Sequence, residues 1–476
     1  MALDSKRILL VHPAGAEWNS RSLRIARLSN LMPPLGLLSL AAYLEQRGLR
    51  ADVIDCYVHA DADDRVREYL QARQPGFIGF SCTTVGFRDA ARLARLAKAA
   101  LPGIRTVVGG AHASALRERV LQEFPEIDFV VAGEGEETLS ALLAAAGEGA
   151  EELAGVVSRT RDGSLVYGGA RAPIAHLDSL PFPAYEKLAG YPERYLLPIF
   201  SYPRSPNGTF ITSRGCPYAC SYCDRSVFGR SFRFNSADYV YEHMQYLRRR
   251  FGLRHLNIYD DQFTFNRQRV DALMQRLIDR PLGMTFNCAV RAEHIAPDLL
   301  RMMKRAGCWM VSLGIESGDE KLLAQHRHQA DLALLADKVR EIKRAGLRAK
   351  GLFMMGLPGE SEESIRRSIA YATSLRLDEI NLTKFTPFPG SPIYEHIREF
   401  GEFDENWDQM DCMHFLFIPH GFTRERLEAL YTEFYRQHFT QPRVMLGYTS
   451  MIWKSPHSWL RFVFHFHDYW RFAQNK

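Results

Sequence analysis

The stretch Ser213-Arg214-Gly215-Cys216-Pro217-Tyr218-Ala219-Cys220-Ser221-Tyr222-Cys223-Asp224 decides how the second half of the chain is read. It follows directly on Phe210-Ile211-Thr212, a short apolar run that reads as a strand, so three thiols share one loop at that strand's carboxyl end. Thiolates spaced C-x3-C-x2-C can hold three corners of a cubane of four irons, leaving the fourth iron without a protein ligand and open to a reactant. The competing reading is a structural zinc, which closes its shell with four ligands. The next Cys or His after Cys223 is His243, inside a helical pattern, and it completes such a shell only if that helix folds back over the loop.

Outward from this loop, strands are expected near His255 to Tyr259, Met284 to Cys288, Trp309 to Leu313, Gly351 to Met355 and Ile380 to Thr383. Helical patterns lie between them over Ala237 to Arg250, Arg267 to Arg280, Asp298 to Ala306, Asp331 to Ala345 and Glu362 to Leu375. Six even strand-helix units fit a partial (β/α)6 barrel of the TIM type, with chemistry at the strands' carboxyl ends. Upstream, Ile8 to Val11, Ala51 to Ile54, Phe77 to Ser81, Thr106 to Val108 and Phe129 to Val131 alternate with helical stretches at Leu37 to Gln46, Arg88 to Leu101 and Leu116 to Glu123. That is the pattern of a doubly wound, flavodoxin-like parallel sheet, an α/β fold that binds ligands at its strands' carboxyl ends. Small residues fall there: Ser81-Cys82-Thr83-Thr84, Gly109-Gly110-Ala111-His112 and Gly133-Glu134-Gly135-Glu136. The domains expected are 1–146, a connector over 147–206 that includes a hairpin signal at Arg161-Asp162-Gly163, the barrel over 207–400 and a helical region over 401–476.

A chain of 476 residues has room for several cores, and 46% hydrophobic with 24% charged residues is an ordinary globular balance. A net charge of +5 spread over this length does not call for nucleic acid as a partner. The amino end lacks the apolar core of a secretory signal and no apolar run is long enough to span a bilayer, so a cytoplasmic location is expected. Eight cysteines, three of them crowded between 216 and 223, suggest metal before disulfide; Cys82, Cys288, Cys308 and Cys412 read as core thiols.

The cysteine loop, with aromatic Tyr222 before the last thiol, resembles the signature of radical S-adenosylmethionine (SAM) enzymes over roughly residues 207–400. The resemblance implies that Cys216, Cys220 and Cys223 ligate a four-iron four-sulfur (4Fe-4S) cluster whose fourth iron is chelated by SAM. It also implies ribose and carboxylate contacts at Glu316 and Ser317, and an adenine segment at Gly351 to Glu360 that includes Gly356 and Pro358. Where many relatives have Gly-Gly-Glu for the SAM amino group, this chain reads Tyr259-Asp260-Asp261, so Asp260 and Asp261 are assigned that role, with a helix cap for Arg267 onward as the alternative. The first domain is similar to the cobalamin-binding domain that precedes the barrel in one large radical SAM group. Its matching pieces are Pro34 and Gly36 in Pro33-Pro34-Leu35-Gly36, then Ser81, Thr83, Thr84, Gly109, Gly110, His112, Gly133, Glu134, Gly135 and Glu136. His12 stands where some cobalamin domains carry a cobalt ligand, but the position of its usual carboxylate partner is Leu10, which favours cobalamin without a protein lower ligand.

Together these features imply reductive cleavage of SAM to a deoxyadenosyl radical, hydrogen abstraction from a small-molecule substrate, and methyl transfer from methylcobalamin to an unactivated carbon. An external flavodoxin or ferredoxin would supply the electron, and Arg214, Arg225 and Arg230 near the cluster either steady its reduced form or are solvated surface residues. The whole chain also resembles the anaerobic magnesium-protoporphyrin monomethyl ester cyclases, which use the same cofactors without methylation. A cobalamin-binding sensor or carrier without chemistry is the reading from another class. Residues 450–476, aromatic with interleaved Lys, Arg and His, fit either a helical cap on the barrel or a peripheral contact with a membrane, which would suit a lipid-like substrate.

Overall fold

The computed structural model of the chain describes residues 3–15, 31–327 and 331–467, and within them two parallel sheets carry the architecture. The first contains β1 (Asp4–His12), β2 (Arg50–Asp55), β3 (Pro75–Ser81), β4 (Arg105–Gly109) and β5 (Phe129–Val131), all parallel in the order β2-β1-β3-β4-β5. Helices cover both faces, which is why Ile8 to Val11 form an unbroken apolar run with every side chain buried. The order reverses between β1 and β3, and an open sheet of this kind has its crevice beyond the carboxyl ends at that point.

Two local features depart from the sequence reading. The hairpin β6 (Val156–Arg159) and β7 (Leu165–Tyr167) pairs antiparallel with β5, so these residues add two strands to the first sheet. The helix expected over Leu116 to Glu123 is two short helices, Ala111–Leu116 and Glu118–Glu123, broken at Arg117, whose φ of 41° no α-helix accommodates.

The second sheet runs β8 (Asn207–Phe210), then, beyond the antiparallel pair β9 (Ser213–Arg214) and β10 (Arg233–Phe234), β11 (His255–Ile258), β12 (Thr285–Val290), β13 (Cys308–Glu316), β14 (Arg348–Met355) and β15 (Glu379–Lys384). Its spatial order β8-β11-β12-β13-β14-β15 follows the chain, every pair is parallel, and the sheet curls as the expected partial barrel. Each crossover helix buries one stripe: Val270, Leu273, Met274 and Leu277 in Arg267–Asp279, for example, face the sheet.

After β15 the chain makes a small hairpin of β16 (Gly401–Phe403) and β17 (Phe417–Pro419), then four helices, Arg424–Phe439, Pro442–Thr449, Met451–Lys454 and Pro456–Phe464. The hairpin region reaches back to the first unit. Trp407 is buried beside Phe87, His112 and Phe124 of the first domain, with ring centroids 5.8, 4.4 and 6.2 Å away. A large aromatic wedged between segments so far apart in sequence should hold them together mainly by apolar burial. We therefore expect Trp407→Ala to cost about 3–5 kcal/mol in denaturant unfolding; a loss below about 1 kcal/mol would show that this contact does not fasten the two units.

Candidate functional site

The cysteine loop is closed at its base by the β9–β10 ladder, in which Arg214 faces Arg233 and Ser213 faces Phe234. Gly215 opens the loop with φ 82°, and a Cβ there would lie 2.1 Å from Ser231 O, so the turn that delivers Cys216 admits only glycine. Farther along, Ser221 N donates to His326 O at 3.0 Å, its hydroxyl meets His326 Nδ1 at 2.8 Å, and Ile393 N donates to Ser221 O at 3.2 Å. Asp224 accepts from Ser226 N and Oγ at 2.7 and 2.6 Å, and that hydroxyl also reaches Ala111 O in the first domain at 3.0 Å. The loop is thus tied to both domains.

Cys216, Cys220 and Cys223 all line one cavity at the carboxyl ends of the second sheet, together with Tyr222, Asp261, Arg291, Glu316 and Arg327. The described residues include all eight cysteines, and none is in a disulfide. Three thiols converging on one cavity, none of them in a disulfide, are the donor set a cluster with an open corner requires. His243 cannot complete a zinc shell with them. It is fully buried, stacked on Phe182 at 4.5 Å, lies on the wall of a different cavity, and burial pushes its pKa down to about 3.

Glu316 ends β13 with φ 66° and points into the cysteine cavity. A Cβ at residue 314 would come within 2.8 Å of its Oε1, so Gly314 leaves the room that this carboxyl occupies. Burial raises its pKa to about 7, with Arg327 pulling the other way. Arg291 lies over the Tyr218 ring at 3.8 Å, and Tyr218 OH meets His294 Nε2 at 2.7 Å. Neither Arg291 nor Arg327 carries a motif that sequence reading could seize, yet they bring two cations to this cavity; of the arginines expected near the cluster, Arg225 lines it and Arg230 is exposed.

A second cavity lies between the two sheets. Its wall takes Gly36, Ser81, Gly109, Gly110, Gly133, Glu134, Gly135 and Glu136 from the first domain, and Ile211, Ser213, Arg214, Val227, Phe228 and Asp261 from the barrel. A Cβ at Gly36 would meet nothing within 4 Å, and one at Gly133 would meet only Val227 O at 3.8 Å, so at these two points the wall is open backbone, set among apolar side chains such as Leu10, Leu40, Phe80 and Val131. Ser213 Oγ and His243 Nε2, buried on the same wall, have no hydrogen-bond partner among the described residues. Val227, Phe228 and Asp261 line both cavities, which therefore share a wall.

Several sequence assignments need correction. Asp260 is buried, its carboxylate accepting from Thr212 N and Ser213 N at 2.5 and 3.1 Å beside Arg269 at 3.7 Å, so only Asp261 of the pair reaches ligand space. Ser317 is fully buried and its hydroxyl is spent on Ser368 Oγ and Asp319 N, at 2.9 and 3.1 Å. Gly356 and Pro358 lie off the cavity wall: Glu360 holds the Gly356 N–H, and His326 Nε2 meets Pro358 O at 2.7 Å. Pro34, Thr83, Thr84 and His112 are also off the wall; His112 is buried under Trp407, with Nδ1 3.2 Å from Thr84 Oγ1.

Glu134 and Glu136 do line the cavity, but their carboxylates are held by arginines. Arg214 reaches Glu134 and Glu136 at 3.0 and 2.5 Å, and Arg233 reaches Glu134 at 2.9 Å. Burial alone would push the Glu134 pKa up, yet Arg233, Arg214 and the Ile174 N–H together hold it below the ordinary range. Nor does His12 lack a carboxylate: Asp55, at the end of β2, meets its Nδ1 at 3.0 Å, although His12 is absent from the cavity wall.

Two family models match the chain. Residues 21–143 match the family model of the B12 binding domain and residues 210–372 that of the radical SAM superfamily. The chain is 29% identical to an uncharacterized methyltransferase of Pyrococcus horikoshii, over 87% of this chain and 89% of that one. It is 28% identical to the anaerobic magnesium-protoporphyrin IX monomethyl ester cyclase of Rubrivivax gelatinosus, over 82% of this chain and 70% of the other. Its fold matches that of the radical SAM methyltransferase TsrM of Kitasatospora setae, solved with cobalamin and a four-iron four-sulfur cluster, with a TM-score of 0.67, 19% identity, and coverage of 83% of this chain and 75% of that one.

The two neighbouring aspartates give a direct test. Asp260→Ala leaves two backbone N–H groups without their acceptor and a buried arginine without its counter-charge, and should cost about 3–5 kcal/mol of stability. Asp261→Asn should change stability by no more than about 0.5 kcal/mol and should weaken SAM binding to the cluster-loaded protein, measured calorimetrically. The reverse pattern would return the binding role to Asp260.

Proposed function

We propose that this chain, which belongs to the cobalamin-dependent radical SAM enzymes, methylates an unactivated carbon of a hydrophobic small molecule. The reading is supported above all by the shared wall: ligand space beside the three cysteines and ligand space beside the first sheet are separated by little more than Val227, Phe228 and Asp261. When bound, the cluster with SAM supplies a hydrogen-abstracting deoxyadenosyl radical and cobalamin supplies a methyl group. The chain's own residues then have limited tasks. Cys216, Cys220 and Cys223 hold the cluster, Asp261 accepts hydrogen bonds from the SAM ammonium, and Glu316 accepts from its ribose. Gly36, Ser81, Gly109, Gly110, Gly133 and Gly135 let the corrin approach the backbone closely, and Val227 and Phe228 keep water from the space between. An external flavodoxin or ferredoxin delivers the electron.

Methylation is favoured over ring closure because methyltransferases recur among the relatives this chain resembles, that of Pyrococcus horikoshii at 29% identity among them. The test is mass spectrometry of products formed anaerobically with SAM deuterated in its methyl group. A product carrying the labelled methyl supports transfer. Oxygen gain or hydrogen loss without label would instead assign the cyclase-type reaction, and an absence of deoxyadenosine with every donor would leave only cofactor binding.

A further inference from the structure

The last helices of the described chain reverse the usual pattern of a globular surface. In Pro456–Phe464 the residue packed inward is Ser458, while Leu460, Val463 and Phe464, spaced i, i+3, i+4 on one face, are 56%, 62% and 81% exposed. The preceding helices repeat this arrangement. Met451 is buried, whereas Leu446, Ile452 and Trp453 are 70%, 48% and 68% exposed. The inner side is anchored: Ser455 Oγ donates to Tyr202 O at 2.5 Å and Arg461 to Leu197 O at 2.7 Å. These helices are fixed to the body by Val444, Met451, Ser455, Ser458 and Arg461 and by Trp459 and Phe462 against Phe200, and they turn further apolar residues to the outside. Exposed apolar residues gathered on neighbouring helices in this number mark a binding face.

Charge identifies what the face takes. From Phe434 to His467 there is no Asp or Glu; Arg443 and Arg461 are turned onto backbone carbonyls of the body, and Arg436 and Lys454 are the exposed cations left within that span. Two copies of such a face would bring like charges together in a two-fold contact, whereas anionic headgroups above an apolar layer complement both features. No helix among the described residues is long and apolar enough to cross a membrane, and the contact that these features fit is with a lipid surface. Residues 468–476 lie outside the described residues.

We propose that the outer face of the helices between Pro442 and Phe464 docks the enzyme on an anionic lipid bilayer. The face sits at the amino ends of the second sheet. Met451 Sδ lies 3.4 Å from Arg348, the first residue of β14, whereas both cavities open at the opposite, carboxyl ends. Docking therefore leaves the catalytic mouth away from the lipid, and it stands independently of whether the reaction is a methylation.

The experiment is co-sedimentation of the cofactor-loaded full chain with phosphatidylcholine vesicles and with vesicles also containing phosphatidylglycerol. We expect the anionic vesicles to bind at least roughly tenfold more protein, less as salt rises. The Leu460→Glu/Val463→Glu/Phe464→Glu variant should lose that binding while keeping the wild-type circular dichroism and deoxyadenosine yield, which shows it is folded. Equal, negligible binding to both vesicles would overturn the proposal, as would unchanged binding by the variant. So would a concentration-dependent dimer that the same variant abolishes, because it would give the face to a second copy.

Discussion

Arg214 is the residue on which the relation between the two halves of the molecule turns. It immediately precedes Gly215 and Cys216, and its guanidinium is buried against Glu134 and Glu136 on the Gly133-to-Glu136 turn of the other domain, with Arg233 joining from the opposite side of the loop's base. Two positive and two negative groups taken out of water together cancel in charge but pay heavily in desolvation, so such a cluster fixes geometry more than it adds stability. Here the geometry fixed is the distance between the thiols and the glycine-lined wall.

That constraint explains why both sheets point their carboxyl ends at one place. Each sheet has its ligand crevice there for ordinary topological reasons, the reversal between β1 and β3 in one and the curled strand ends in the other. Opposing them produces two cavities with a common boundary of Val227, Phe228 and Asp261. If the proposed reaction runs through a substrate radical, a short partition that is largely apolar would keep solvent from quenching it.

Much of this was legible in the chain. The strands of the first sheet announce themselves as short apolar runs because that sheet is covered on both faces, and the cysteine spacing specifies its chemistry without help from the fold. What stayed hidden depended on contacts between distant segments. Asp260 and Asp261 are adjacent and chemically identical, and only the turn at Thr212 and Ser213 makes one structural and the other available. His112 looks like a ligand-loop residue until Trp407 covers it, and His12 finds its carboxylate on β2, at Asp55, rather than two residues upstream. The helix Ala62–Arg73 escaped notice because Val66 and Leu70 are its only buried residues, too narrow a stripe to mark a period. Arg214, by contrast, is visible in sequence but reads equally well as solvated surface.

The account depends on the cluster and the corrin being held close together by this chain. The most direct check is pulsed electron paramagnetic resonance of anaerobic protein containing the reduced cluster and divalent cobalt. The account predicts a magnetic coupling between the two centres that weakens or broadens in Arg214→Ala. Two signals relaxing independently in the unaltered protein, each centre being fully loaded, would contradict it.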